Sequence, residues 1–391
     1  MVIVEIPIGP QHPALHEPIM LKVKTDGEEV IEVVVTTGYN HRGVEKLLEK
    51  NSWIRGMYIA SRVCGICNAV HMQTYVQGVE KLMGIEPTPR ANYIRTMVME
   101  LERIHSHMLA CAVMAEIVGF DTLFMLIMRD RERVMYLKEL ITGNRVHADI
   151  HVLGGVKRDL DEVKRAKILD ELRKIEERLK YYRKVYESDY TLIKRLSEVG
   201  RISRSDAIRL SVVGPTLRAS GVKSDVRSDD PYAAYSEVPF NVEYRNEGDS
   251  WARMMVRLDE ALESVNIVRY TVEKLPQGPA VPKIIPRAAK PGEVISRVEA
   301  PRGELLYHIV STGGSNPYRV KIRTPSFLNI LNTESTYLGH RLADVPVIFA
   351  SYDPCISCTE RVAVIDEKSG RKAYVSLKEL ARCEHDEIKH A

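Results

Sequence analysis

A chain of 391 residues with 45% hydrophobic content can bury a large core and exceeds the size at which one simple domain usually suffices. Its 56 basic and 53 acidic residues leave a formal charge of only +3, and no basic run is interleaved with aromatic residues, which argues against a nucleic-acid partner. No stretch approaches the roughly 18 uninterrupted apolar residues of a membrane span, and 6 cysteines without a secretory signal point to a reducing compartment.

In chain order, apolar alternation over residues 19–25 and 30–37 around Asp26-Gly27 predicts a hairpin, so a small sheet opens the fold within residues 1–50. From Trp53 the period becomes helical. Ile94, Val98, Leu101, Ile104, Met108 and Ala112 recur at spacings of three and four and should face the core. Over residues 161–196, Ile168, Leu172, Ile175, Leu179, Tyr182 and Tyr186 mark one long amphipathic helix among charged residues. A second runs over about 249–275 through Met255, Leu258, Leu262, Val265 and Val272 and stops at Pro276-Gln-Gly-Pro279. The two are expected to pack together in a bundle body spanning residues 51–280.

Residues 276–292, rich in Pro and Gly, read as a linker. Beyond it, residues 292–323 predict short strands with a turn at Thr312-Gly-Gly-Ser-Asn-Pro317, inside a C-terminal region of residues 281–365. The remainder, 366–391, reads as a tail whose Cys383 belongs to an exposed polar terminus. Val362-Ala-Val-Ile365 and Tyr374-Val-Ser-Leu377 flank a polar stretch and suit a hairpin. The expected class is mainly α, a helical bundle with a small N-terminal β-sheet and a short β-containing C-terminal region.

Chemistry concentrates in two Cys-x-x-Cys pairs, Arg62-Val-Cys-Gly-Ile-Cys-Asn-Ala-Val-His71 and Asp353-Pro-Cys-Ile-Ser-Cys-Thr-Glu-Arg361. Four thiolates brought together make a soft metal site. On spacing alone such pairs read first as structural zinc and second as disulfides. Zinc modules, however, gather their ligands within a short segment, whereas here a whole domain must fold before the four sulfurs meet. His71 follows Cys67 by one helical turn, which puts its imidazole on that sulfur's face as a hydrogen-bond partner. Asp353-Pro354 makes a rigid, acidic approach to the second pair that can orient a ligand or relay a proton. The isolated Cys111 reads as a small buried hydrophobe.

These two motifs resemble the large subunit of nickel-iron hydrogenases. Gly9-Pro-Gln-His-Pro13, Gly38-Tyr-Asn-His-Arg-Gly43, Gly143-Asn-Arg145, Gly154-Gly155-Val156 and Gly214-Pro-Thr-Leu-Arg-Ala-Ser-Gly221 resemble its membrane-bound, energy-converting branch and the related quinone-site subunit of respiratory complex I. The similarity runs from about residue 5 to 365. The four cysteines separate the two branches, because the complex I subunit lacks these ligands.

The resemblance implies a nickel-iron centre whose iron carries cyanide and carbon monoxide. Cys64 and Cys355 would be terminal nickel ligands, with Cys67 and Cys358 bridging to iron. It implies a proton gate at Glu17, in His16-Glu17-Pro18, and places Arg302, in Glu299-Ala-Pro-Arg-Gly303, over the open metal position with Pro301 shaping the pocket. Asp353 is expected to hold Arg302 in a bidentate ion pair. His12, His41, His105 and His107 lie in segments shared with the complex I subunit and are expected to organise a proton route or meet the neighbouring subunit. Glu45 matches a position that supports a second, structural cation (magnesium or iron) in some relatives. Those relatives usually have a histidine where this chain has Arg361, which leaves that cation open.

The chain has no further cysteines at ferredoxin spacing, so electrons must arrive through an iron-sulfur small subunit. Reduced ferredoxin as donor, complex I-like membrane and peripheral subunits, coupling to ion pumping and a place on the cytoplasmic side of the cell membrane follow from the resemblance. Many hydrogenase large subunits lose an extension after the residue matching Arg361. Here residues 362–391 are expected to be retained and to pack near the second cysteine pair. The rival readings are a quinone- or sulfur-reducing relative that keeps its cysteines, and a structural four-cysteine zinc scaffold.

Overall fold

Alternating side chains at the N-terminus produce an antiparallel sheet of β1 (Ile3–Ile8), β2 (Met20–Asp26) and β3 (Glu29–Thr36), with the Asp26-Gly27 turn between β2 and β3. The structure is a computed structural model that describes residues 3–282 and 287–359, together with the backbone of strands at 362–365 and 372–375. Leu21, Val23, Val30, Val33 and Val35 bury the inner face of the sheet against Tyr337, Ile348, Phe349 and Tyr352. This second core joins the N-terminus to the segment that precedes the second cysteine pair. The stretch read as β up to residue 50 also contains a helix, α1 (Val44–Lys50), which starts at Gly43 in a left-handed turn of φ 63°.

The helical body follows as α2 (Trp53–Ser61), α3 (Asn68–Met83), α4 (Pro89–Ile117) and α5 (Asp121–Thr142). All six apolar positions foreseen on α4 are buried. That helix is buried on nearly every side, as expected of an element at the centre of a bundle. A minimal ladder, β4 (His151–Val152) with β5 (Gly155–Val156), leads into α6 (Glu162–Ser188) and α7 (Tyr190–Leu196). The six apolar positions foreseen over 161–196 are the buried residues of α6. The single helix is instead two, because the Asp189 side chain accepts a hydrogen bond from the Leu192 amide at 2.9 Å and caps a new helix there.

Short helices α8 (Arg204–Arg209), α9 (Pro215–Ala219) and α10 (Val226–Asp229) precede α11 (Ser250–Glu273), capped by Asp249. α11 packs against both α4 and α6, which sets Met255, Leu258, Val265 and Val272 in the core, while Leu262 is half-buried. A second sheet, β6 (Gly292–Ala300), β7 (Gly303–Ser311) and β8 (Arg319–Arg323), lies against α3. Its first two strands are longer than the short ones expected and are joined by a two-residue turn, Pro301-Arg302. α12 (Pro325–Leu331) and α13 (Val345–Ser351) follow, and β9 (Val362–Ile365) pairs antiparallel with β10 (Lys372–Val375). The tail hairpin is therefore present, with its second strand two residues earlier than foreseen. Arg361, Cys383 and the packing expected of the tail lie outside the described residues.

Where α4, α9, α10, α11 and β6 meet, the interior is ionic. Arg218 contacts Glu260 at 2.7 Å and Glu299 at 2.8 Å, Arg227 joins Asp225 at 2.7 Å to Glu100 at 3.1 Å, and Arg103 donates to the Glu299 carbonyl at 2.7 Å. Charges taken out of water are tolerated only when paired and hydrogen-bonded, as these are. Among the described residues no helix is long and apolar enough to cross a membrane.

Candidate metal centre

The first cysteine pair occupies the turn between α2 and α3, with Cys67 immediately before the first residue of α3. The second sits after α13, where residues 356–358 form a 3-10 turn. The fold brings the pairs together. Cys64 Sγ lies 3.3 Å from Cys355 Sγ, and Cys355 Sγ lies 3.1 Å from Cys358 Sγ. The sulfurs of Cys64, Cys67 and Cys358 are all within 4.8 Å of one another. All four side chains are buried, with no disulfide among them.

Hydrogen bonds with Cys355, Cys358 and Cys67 hold the Cys64 thiol well below its ordinary range, and the Ile66 and Cys67 amides also point at its sulfur at 3.3 and 3.2 Å. Hydrogen bonds to Cys355, Cys64 and Cys67 hold Cys358 well above that range. Four adjacent thiolates would repel one another, which is why the shifts of neighbouring sulfurs run in opposite directions. The set is entirely sulfur. It suits nickel, iron or zinc and disfavours magnesium or calcium.

Arg302 sits in the β6–β7 turn beside this cluster, fully buried. Its Nη2 donates to Asp353 Oδ1 at 2.7 Å, its Nε to the Asp353 carbonyl at 2.6 Å, and its Nη1 to Ser106 Oγ at 3.1 Å. The pairing with Asp353 is thus two-point, but one point is backbone; a bidentate carboxylate pair does not form. Asp353 Oδ2 instead lies 3.8 Å from Arg257 Nε. Asp353 adopts a left-handed φ of 53°, unusual outside glycine, which turns its carbonyl and carboxylate toward the same guanidinium. Burial pushes its carboxyl up, with Arg302 and Arg257 opposing.

His71 is on α3 as expected but faces the other pair. Its Nε2 lies 3.7 Å from Cys358 Sγ, not against Cys67, and its Nδ1 is 2.8 Å from the Tyr307 hydroxyl. Burial lowers its pKa to about 4, so the ring is neutral. A Tyr307 hydroxyl that donates to Nδ1 leaves the Nε2 proton for Cys358.

Glu17 reaches the second pair through its backbone. One carboxylate oxygen accepts from the Ile356 amide at 2.5 Å and the Ser357 amide at 3.1 Å, and the other contacts Ser357 Oγ. Glu17, His16, Arg302, Asp353 and Ile356 share a cleft of about 200 Å³ whose other wall is the apolar face of α4 at Leu109, Val113 and Ile117. The remaining candidate histidines meet other groups. His107 is held 2.9 Å from Glu260 inside the ionic core, and His105 hydrogen-bonds the Ile66 carbonyl at 2.9 Å. His12 bonds the Ala14 amide at 3.2 Å within an exposed loop, and the half-buried His41 donates its backbone amide to Gly38 at 3.1 Å. Glu45 accepts from the Ile322 amide at 2.9 Å and lies 3.4 Å from Arg319 and 3.8 Å from Lys321. Cys111 is buried within α4, where desolvation pushes its thiol up to about 12.

Several contributors were not singled out from the sequence. Glu102, fully buried on α4, accepts from the Ala69 and Val70 amides at 3.0 Å each and so fixes the start of α3 behind Cys67. Burial raises it to about 7, with Lys138 at 3.7 Å opposing. A carboxylate at a core-facing position of a buried helix was its visible signal. Ser106 and Tyr307 had none, since each depends on a partner distant in sequence.

Residues 118–290 and 283–361 match the family model for the respiratory-chain NADH dehydrogenase 49 Kd subunit, and residues 42–111 match that for nickel-dependent hydrogenase. The carbon monoxide-induced hydrogenase of Rhodospirillum rubrum is 39% identical, covering 91% of this chain and 99% of its own. The membrane-bound hydrogenase subunit alpha of Pyrococcus furiosus is also 39% identical, covering 99% and 93%. A solved chain of the membrane-bound sulfane sulfur reductase, an archaeal respiratory membrane complex, superposes with a TM-score of 0.87 at 34% identity, covering 92% of this chain and 98% of that one. The chain belongs to the oxidoreductase family that unites the large subunits of nickel-dependent hydrogenases with the 49-kDa subunit of respiratory-chain NADH dehydrogenase.

Proposed function

We propose that this chain is the catalytic subunit of a membrane-bound nickel-iron hydrogenase that forms H2 from protons. Electrons would come from reduced ferredoxin through an iron-sulfur small subunit, the chain would sit peripherally on the cytoplasmic side of the cell membrane, and complex I-like membrane subunits would couple the reaction to ion translocation. The observation that carries the reading is the convergence of all four cysteines in one buried, all-sulfur cluster.

Cys64, Cys67, Cys355 and Cys358 would together hold the nickel-iron centre. The centre would supply the redox chemistry of H2, which side chains alone cannot perform. Around it, Arg302 is held rigid by Asp353 and Ser106, so its positive charge stabilises negative charge at the sulfurs. Glu17 touches the second cysteine loop and lines the cleft, which suits it to carry a proton between the sulfurs and solvent. His71, neutral and braced by Tyr307, offers one proton to Cys358 and orients it.

The likeness to a sulfane sulfur reductase chain supports a second reading, reduction of sulfane sulfur or a quinone in the same cleft. Nickel and iron analysis of the purified complex, joined to assays of H2 evolution from reduced ferredoxin, separates the two. Nickel and iron with H2 evolution supports the hydrogenase. Turnover of sulfane sulfur or quinone without nickel supports the reductase, and stoichiometric zinc without nickel supports a scaffold.

A further inference from the structure

Arg42 lies in the loop between β3 and α1, one residue before the left-handed Gly43 that starts α1. From this fixed point its guanidinium reaches three backbone carbonyls. Nη1 donates to Arg62 O at 3.0 Å, and Nη2 donates to Val63 O at 2.7 Å and to Ser357 O at 3.0 Å. Arg62 and Val63 immediately precede Cys64, and Ser357 lies between Cys355 and Cys358. One side chain therefore grips the backbone of both cysteine loops. Glu17 holds the same stretch of the second loop through the Ile356 and Ser357 amides.

Such a clasp answers a physical difficulty of the site. The sulfur contacts between the loops run through Cys64, Cys67, Cys355 and Cys358, the same atoms that would hold a metal, so a brace built on the loop backbone leaves all four sulfurs available for that role. Carbonyl acceptors keep their partners whatever the thiols do. Three acceptors in two loops suit a planar guanidinium with several fixed donors; a lysine ammonium presents a point charge of different reach.

We propose that Arg42 is a positioning residue that sets the distance between the two cysteine pairs and holds the site closed before and after metal is bound. The proposal rests on the cysteines being the ligands of the proposed function, but its test is independent of turnover. Metal-free full-length protein is oxidised briefly with diamide, and disulfides are located by peptide mapping. The wild type joins Cys64 to Cys355, whose sulfurs are already adjacent. Arg42→Ala lowers that inter-loop product by about tenfold relative to the Cys355–Cys358 product, the scale of one lost charged hydrogen bond. Low-millimolar guanidinium restores it, and Arg42→Lys stays low. An unchanged ratio in Arg42→Ala overturns the proposal, as does a loss accompanied by a lowered melting temperature and not rescued by guanidinium. Should Arg42→Ala prove insoluble, a wild-type ratio in Arg42→Lys also overturns it. An Arg42-dependent ratio together with a natively purified complex that contains no nickel keeps the clasp and sinks the hydrogenase reading.

Discussion

At the cluster, a serine in place of Cys64 or Cys355 keeps shape but not chemistry, because its hydroxyl stays protonated where a thiolate would bind metal. Either substitution is expected to abolish H2 evolution and nickel retention while circular dichroism still reports the helical body. Arg302→Lys is expected to lower the rate at least about tenfold, roughly 1.4 kcal/mol of barrier, because a single ammonium cannot reach the Asp353 carbonyl, its carboxylate and Ser106 together. Turnover at the wild-type rate would reduce Arg302 to a structural ion pair. Glu17 has two functions to separate. Glu17→Gln retains an oxygen for the Ile356 and Ser357 amides but loses the titratable proton, so metal content should persist while H2 evolution falls. Wild-type rates across pH in that variant would remove Glu17 from the proton path.

Between elements, the position of Arg302 depends on two glycines that face each other. Gly214 begins α9 at φ 67° and Gly303 begins β7 at φ 127°. A Cβ on Gly214 would lie 2.4 Å from Gly303 Cα and 2.5 Å from the Arg302 carbonyl oxygen. Neither backbone can yield as a flexible side chain does. Gly214→Ala should therefore displace the β6–β7 turn, cost about 1–3 kcal/mol of stability and reduce activity with it, as read by thermal melting and rate. A variant with unchanged melting and rate would show that the two loops move freely. The same scale shows what a one-dimensional pattern can reveal. The apolar faces of α4, α6 and α11 follow directly from helical spacing. The Pro301-Arg302 turn does not, because β6 and β7 pair along a register decided by their packing on α3.

Over the whole molecule, burial of ionisable groups predicts acid sensitivity. Desolvation lowers His107 from 6.5 to about 4 and holds His105 and His151 well below 6.5. Each is neutral in the fold and takes up a proton on unfolding, so its contribution is complete above pH 6.5 and is lost as pH falls toward 4. Glu102 and Glu299, which burial raises from 4.5 to about 7, act in the opposite sense, costing stability as pH rises through that interval. His71 joins the three imidazoles and Asp353 and Glu243 join the two raised carboxyls, so these opposing contributions largely offset each other; below pH 4.5 the carboxylates of Glu260 and Asp225, held low against burial by Arg218 and Arg227, lose their pairing and stability falls. The denaturant midpoint should fall as pH drops below 4.5, and a midpoint that rises there would contradict this balance.

Local spacing alone determined the mainly helical class, the core faces of the long helices, the N-terminal hairpin and the two cysteine pairs, since periodicity and short motifs are properties of neighbours along the chain. The partners of those motifs were decided by tertiary structure. His71 meets Cys358 and not Cys67, because the second loop folds over α3. Asp353 offers Arg302 a carbonyl with its carboxylate, because its backbone turns left-handed. Glu45 is claimed by Arg319 and Lys321 from a strand far along the chain, and Arg42 and Glu102 acquire their roles only where remote backbone comes within hydrogen-bond reach. A hydrogen bond is set by distance and direction in space, and no residue carries in its own neighbourhood the identity of the distant group it will meet.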